Sequence, residues 1–476
     1  MIRWLVVWVF VSPLTCAQEL VSVEVDVGGP HADLTEADLD GDGKDDLLFL
    51  IEGTPPVLDI RYQDHDGKGF GRRAQWQVPA GTAGIMVAEV VSPGQDVLYL
   101  SASGASIVEG TSEDGEARPW IAAELLFPPG YRGLPKHWGW GRDIDGDGHD
   151  DVLLPGIDRD LIVFGGPDGK PKKTPTVLAH PRSRTTADRT QGLLRVRRGR
   201  PRTELARMAK GVLLPTWLDR SGLHVLPRQG DGFADAPINL FPLEDDAPSG
   251  LGLLRRVDVD LNDLDGDGLA DLCLTRTEAR VGTIPERRTD LLLFKNTGQP
   301  NPTPTQVIVL PGVLSSGPSL ADVDGDGHVD LFLSVFAGDV KSEITRRLLG
   351  RVRLDYYLYL GTGDTQPFPR SPSHSLTDKV DTQTFETWGI RHRRILTDDW
   401  DGDGMLDLVQ VHIDDGSCHV QVRHAVGSGP DLAFADSGAS FSWKGEVIHY
   451  TTTAIQRGRP AVRLKTTTKV IYIMRP

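Results

Sequence analysis

Short apolar runs, each led in by a polar, glycine-rich stretch, recur along the chain: LLFLI at 47–51, VLLPG at 152–156, LCLTR at 272–276, LFLSV at 331–335 and LVQVH at 408–412. Runs of this length bounded by turn residues read as buried strands, since a helix would need ten residues or more. In most units further strand-like segments follow around a second turn: QDHDGKGF at 63–70, GGPDGK at 165–170, RQGDGF at 228–233, KNTGQP at 295–300 and LGTGDTQPF at 360–368. These turns supply residues that accept positive φ and reverse the chain tightly. Each unit therefore predicts four antiparallel strands, and the fold class is all-β.

The stretch that leads into each apolar run has one form, Asp-x-Asp-Gly-Asp-Gly-x-x-Asp. It occurs at 38–46, 143–151, 263–271, 322–330 and 399–407, with 105, 120, 59 and 77 residues between successive first aspartates. The two long intervals are about twice the short ones, so each predicts a degenerate unit inside it. Between the first two loops IMVAEVVSPGQDVLYLS keeps strand, turn and strand, with Asp96 in the last acidic position. Between the second and third, two apolar segments flank an Arg-rich loop. Repetition of four-stranded units is the pattern of a β-propeller, one unit to a blade. The carboxy terminus reads as three more strands, and the strand at 22–27 precedes the first loop with no partner of its own. Eight blades result if these ends share one blade, which closes the ring without an exposed edge. Seven blades with a terminal extension is the alternative.

The acidic loops carry the candidate chemistry. Positions 1, 3 and 5 direct carboxylates at one centre, position 7 offers a backbone carbonyl, position 9 closes the site, and the glycine at position 6 permits the sharp turn. The expected carboxylate ligands are Asp38, Asp40, Asp42 and Asp46; Asp143, Asp145, Asp147 and Asp151; Asp263, Asp265, Asp267 and Asp271; Asp322, Asp324, Asp326 and Asp330; and Asp399, Asp401, Asp403 and Asp407. The carbonyls would come from Lys44, His149, Leu269, His328 and Met405, with the His149 and His328 rings left in solvent. Hard oxygen donors without cysteine suit Ca²⁺ better than Mg²⁺ or Zn²⁺. Four carboxylates within nine residues repel one another unless a cation sits among them. About five structural Ca²⁺ sites are expected, each adding its binding free energy to folding.

Charge changes the picture less than it first suggests. The formal net charge is −16, but twenty of the 67 acidic residues are the aspartates of this pattern, and five bound Ca²⁺ would bring the balance to −6. The acidity still argues against nucleic acid as a partner. The amino terminus MIRWLVVWVFVSPLTCAQEL has a charged start, a short apolar run and a small-residue cleavage site, so residues 1–17 read as a signal peptide and 18–476 as one propeller domain. The run falls short of a bilayer span, the mature chain has no other spanning segment, and Cys16 leaves lipidation open. A secreted, periplasmic or cell-surface location follows. Cleavage would leave Cys273 and Cys418, too few for a disulfide framework.

Taken together, the Asp loops, VFGGPDG at 163–169 and YLGTGD at 359–364 resemble the FG-GAP/VCBS repeats of bacterial exported proteins, and the loops are similar to those of the integrin α-subunit propeller. The resemblance implies calcium on one face, at the turn between the first two strands of a blade, with protein or glycan ligands met on the opposite face. On that face two long connections are expected, at 275–290 and 335–351, holding Arg276, Arg280, Arg287, Arg288, Lys341, Arg346, Arg347 and Arg351 as a basic patch. An adhesion, recognition or structural module is the leading functional expectation. The alternative is a calcium-dependent carbohydrate-active enzyme, similar to propeller-type polysaccharide lyases. The 13 histidines are scattered and no Gly-x-Ser-x-Gly or His-Glu-x-x-His motif is present, so no catalytic residue is assigned.

Overall fold

A computed structural model describes residues 20–475, apart from 28–30, 65–68, 92–93, 138–140, 157–158, 168, 180–203, 208–212, 220–221, 226, 230–231, 235, 237, 243–252, 263, 266–270, 281–286, 296–302, 316, 339, 364–365, 382–391, 415, 436–437, 456–458 and 467. Residues 1–17, read above as a signal peptide, and the Arg-rich loop of the second long interval, at 198–201, lie outside these residues. Within them the strands form eight sheets of four or five strands and two small two-stranded ribbons.

Seven of the larger sheets are consecutive in the chain. Sheet 1 holds His31–Ala37, Asp46–Ile51, Val57–Tyr62 and Arg72–Gln77; sheet 2 holds Gly84–Ala88, Asp96–Ser101, Gly104–Val108 and Arg118–Ala122, with Lys136–His137 added in parallel. Sheet 3 runs from Gly141–Arg142 to Thr176–Ala179, sheet 4 from Glu204–Arg207 to Ile238–Pro242, and sheet 5 from Leu253–Asn262 to Gln306–Leu310. Sheet 6 runs from Gly312–Leu314 to His374–Asp381 and sheet 7 from His392–Asp398 to Ala439–Lys444. The eighth, the closing sheet, takes His449–Ile455, Arg459–Lys465 and Lys469–Met474 from the carboxy terminus and Val21–Asp26 from the amino terminus. Val21–Asp26 pairs antiparallel with Lys469–Met474 along its whole length, from Val21 opposite Met474 to Asp26 opposite Lys469. The ends thus share one sheet, three strands to one.

The apolar runs are unbroken because both faces of each second strand are covered. In Asp46–Ile51, Leu47 and Phe49 pack with Val25, Val470 and Tyr472 of the closing sheet, whereas Leu48 and Leu50 pack with Val97 and Tyr99 of sheet 2. Leu98 and Leu100 face the other way, onto Val152 and Leu154 of sheet 3. Similar cores join sheet 5 to 6, 6 to 7, and 7 to the closing sheet. Period-two alternation within a strand therefore serves two neighbours at once, and the sheets follow one another face to face as propeller blades.

The expected long connections take a different form. Residues 271–280 and 287–294 are the two arms of one extended hairpin, paired from Leu272 with Phe294 to Ala279 with Arg287. Residues 340–349 form an α-helix, between strands Asp330–Ala337 and Arg351–Tyr359. Nor is the first basic stretch simply solvated: Asp290, 4% exposed, is held by Arg276 at 3.2 Å and by Arg288 at 2.5 Å. A buried carboxylate left unpaired would be costly, so these two guanidiniums are spent on the fold. The same device recurs on the third strand of sheet 1, where fully buried Asp59 accepts from Arg61 and Arg73.

Candidate metal centres

Three of the acidic loops are wound around their own first aspartate, and the fourth keeps one of the bonds, from Gly327 to Asp322. Asp38 Oδ1 accepts the amides of Gly41 and Asp42 at 2.8 and 3.1 Å, and Oδ2 that of Gly43 at 2.8 Å. Asp143 and Asp399 repeat all three bonds. The aspartate at position 5 accepts the amide of the seventh residue, at 3.0 Å from Lys44 to Asp42 and 2.8 Å from His328 to Asp326. This winding puts both glycines at positive φ, 73° and 82° at Gly41 and Gly43 and 80° and 92° at Gly402 and Gly404, so position 4 is as constrained as position 6.

The last aspartate has a separate role, which the sequence reading did not distinguish. Asp46, Asp151, Asp330 and Asp407 are at most 1% exposed. One oxygen of each accepts the amide of the loop's second residue, Leu39, Ile144, Val323 or Trp400. The other accepts from the end of the third strand, from Gln63, Gly165, Gly361 or Ala425. A Cβ at Gly165 or Gly361 would run into the backbone carbonyl of residue 150 or 329, so those amides approach only because the residue is glycine. Asp96 keeps this clamp in a unit that has lost the other acidic positions, with its oxygens on Val91 at 2.6 Å and Gly110 at 3.3 Å. The clamp therefore operates without the rest of the ligand set.

Asp96→Ala is expected to cost about 2–4 kcal/mol, from two buried amides left without an acceptor. Burial raises the Asp96 carboxyl to about 7, against the lowering effect of its amide bonds. Its pKa being raised in the folded state, its contribution to stability is fully present below the ordinary carboxylate range and lost as pH rises through about 7. The gap in melting temperature between parent and Asp96→Ala should accordingly be wider at pH 5 than at pH 8.

Within a loop the aspartates converge, in two loops with the last one included. Ligand-capable oxygens lie within 4.8 Å of one another in Asp38, Asp40 and Asp42; Asp143, Asp145 and Asp151; Asp322, Asp324 and Asp330; and Asp399, Asp401 and Asp403. Of the third loop, Asp265 and Asp271 are described; Asp263, Asp267 and Leu269 lie outside the described residues. The donor set fits a hard divalent cation on a specific observation. At the third position Asp40, Asp145 and Asp324 each keep Oδ1 buried with no hydrogen-bond partner, as does Asp322 at position 1. A buried carboxylate oxygen without a donor is the atom a cation would satisfy. Burial, together with repulsion from Asp38 and Asp40, pushes Asp46 to about 7; Asp151 also reaches about 7 and Asp330 about 6. A bound cation would favour the charged form of each.

Several contacts at these loops had no sequence signal, because they come from remote parts of the chain. Lys172 Nζ reaches Asp147 at 2.7 Å and Asp145 at 3.1 Å, Arg72 lies 3.3 Å from Asp40, and Lys295 meets Asp265. The fourth loop instead receives the Gly429 amide on Asp324 Oδ2, at 2.7 Å. His149 is half-buried with Nδ1 shielded from solvent, contrary to the solvated ring expected, because its Cβ abuts Gly165; His328 is exposed and its ring covers Gly363. Neighbouring loops are also stitched to each other: the amides of Gln95, Asp150 and Leu406 donate to the carbonyls of Asp38, Glu89 and Val323 at 2.6, 2.6 and 2.8 Å. The loops of sheets 1 to 3, and of 6 and 7, thus share one rim.

This arrangement, four-stranded antiparallel sheets packed in sequence with an acidic turn after the first strand, defines a β-propeller. Residues 263–333, from the third loop through the strand that follows the fourth, match the model of the FG-GAP-like repeat, so the chain carries that repeat. No curated protein matches the sequence. Among solved structures, a lectin from Agrocybe aegerita that recognises non-reducing terminal N-acetylglucosamine is similar at 17% identity and a TM-score of 0.42, over 89% of this chain and 99% of that one. The Dos1 propeller is similar at 8% identity and 0.43, over 96% and 95%. Extracellular domains 1–2 of Drosophila semaphorin 1b are similar at 9% and 0.32, over 96% and 88%.

Proposed function

We propose that the protein is an exported, calcium-stabilised propeller that acts as a recognition module, with Ca²⁺ in the Asp loops as its frame and a protein or glycan ligand on the opposite face. The observation that carries the calcium reading is the buried, unpartnered Oδ1 at the third position of three separate loops. Lys172, Arg72 and Lys295 partly neutralise the first three loops. The fourth has Asp322 and Asp324 oxygens unpartnered and Asp324 only 5% exposed, so it is the tightest of the calcium sites. On the far side of sheet 2, at the turn between its second and third strands, a cleft of about 580 Å³ is lined by Ser101, Ser103, Glu124, Tyr131 and Arg132 among others. Hydroxyls, an aromatic ring and both charges in one concave site suit a polar ligand such as a saccharide.

Calorimetry of the calcium-free protein should give several Ca²⁺ per chain, with the tightest phase removed by Asp324→Asn. A glycan and protein array probed with calcium-loaded protein should give a ligand whose binding is weakened tenfold or more by Tyr131→Ala. Absence of calcium uptake would refute the frame; an array signal unaffected by Tyr131→Ala would move the ligand away from this cleft.

A further inference from the structure

The fifth loop departs from the others at one position. In the first, second and fourth loops, the residue just before the amide that clamps the last aspartate is Tyr62, Phe164 or Leu360, each at most 8% exposed. In the fifth it is His424, which precedes Ala425. Its Nδ1 lies 3.1 Å from Asp407 Oδ2 and 3.3 Å from Asp401 Oδ2. Ligand-capable atoms of Asp401, Asp407 and His424 lie within 4.8 Å of one another, in a second triad that shares Asp401 with Asp399 and Asp403.

The chemistry of this contact is unlike that at the other loops. Lys44, Arg72, Lys172 and Lys295 bring cations to their aspartates, and an ammonium or guanidinium has no lone pair to offer a metal. A neutral imidazole has one, and it is among the commonest ligands of borderline transition ions. Two ligand atoms held about 2.1 Å from one ion in tetrahedral or octahedral geometry are about 3.0–3.4 Å apart. Both separations from His424 Nδ1 fall in that interval. One of the two carboxylates is also positioned by other bonds: Asp407 is fixed by the amides of Trp400 and Ala425, so the site is anchored on a rigid clamp.

We propose that the fifth loop is a mixed nitrogen and oxygen metal site, in which His424 Nδ1, Asp401 and Asp407 hold a transition ion of the Zn²⁺ class. Among the described residues, the first, second and fourth loops present carboxylate oxygens alone. The assignment goes beyond the calcium reading and does not rest on it, since these three donors are present whatever the other loops bind.

The test is Zn²⁺ titration of the full chain by calorimetry, in millimolar Ca²⁺ and again without it, with Cu²⁺ as a spectroscopic probe. One Zn²⁺ per chain is expected in both conditions, and the electron paramagnetic resonance spectrum of bound Cu²⁺ should carry coupling to a single imidazole nitrogen. His424→Tyr, which installs the residue found in the first loop, should weaken Zn²⁺ at least 30-fold and remove that coupling, with the number of bound Ca²⁺ elsewhere unchanged. Should that variant fail to fold, His424→Gln and Asp401→Asn carry the same expectation, and His419→Ser, on the strand that leads to His424 but with its ring on Ser442, should change nothing. Three results would overturn the proposal: no Zn²⁺ uptake, which would make His424 an ion-pair partner only; uptake unaffected by the His424 and Asp401 variants, which would put the ion elsewhere; or full displacement of Zn²⁺ by millimolar Ca²⁺, which would make this an ordinary calcium loop. Loss of all Ca²⁺ binding with Zn²⁺ retained would instead sink the calcium frame alone.

Discussion

Chelation of calcium is expected to lower the melting temperature by about 10 °C or more. An ion present at a hundred times its dissociation constant adds about 2.7 kcal/mol to the folded state. Four occupied loops would then contribute about 10 kcal/mol, as much as the whole stability of many domains. For a chain of this size the unfolding entropy near the midpoint is about 1 kcal/mol per kelvin, which converts that contribution to roughly 10 °C. The physical origin is local. Without an ion, Asp40, Asp145 and Asp324 keep a buried oxygen unpaired, and the carboxylates around each centre repel one another. Differential scanning in excess Ca²⁺ and in chelator measures the shift, and equal midpoints would show that the loops contribute nothing as metal sites.

Removal of the first strand is expected to be comparably severe. Deleting residues through Asp26 takes away six register pairs with Lys469–Met474 and the buried side chain of Val25. Tyr472 and Ile473, fully buried in the intact protein, would lie on a bare edge. An uncovered apolar edge strand invites pairing with another chain, so the truncated protein should melt at least 5 °C lower and self-associate at micromolar concentration. Light scattering and thermal melts test both effects. A synthetic Val21–Asp26 peptide added in excess should restore a monomer, because the lost element is a separate strand of known register. A monomer with an unchanged midpoint would mean that the closing sheet stands without its fourth strand.

The closure was legible in the sequence because a strand cannot be left unpaired. A lone apolar segment at one end and three at the other could be reconciled only by pairing, and the register of Val21–Asp26 against Lys469–Met474 is that pairing. The loops were legible for a similar reason, since carboxylates at alternate positions with interposed glycines leave few conformations. What the sequence did not display was everything settled by distant partners. The last aspartate looked like one more ligand, yet its environment is set by amides up to 31 residues away, as between Gly361 and Asp330. The approach of Lys172 to Asp145, or of His424 to Asp407, depends on how far the third strand runs before it turns. Two members of the expected basic patch proved to have a structural partner: Arg276 and Arg288 read as surface charge until the buried Asp290 between them is seen.

The clamp at Asp96 bears on how such a ring changes over generations. Because the last aspartate fastens its turn through backbone amides, a unit can shed its other acidic side chains one at a time and still hold its place between its neighbours. Each intermediate along that route remains a closed protein, so ion sites are free to be lost, altered or regained blade by blade. The histidine beside the fifth loop is a residue that a scaffold fastened in this way can accommodate, because Asp407 keeps the amides of Trp400 and Ala425 beside it.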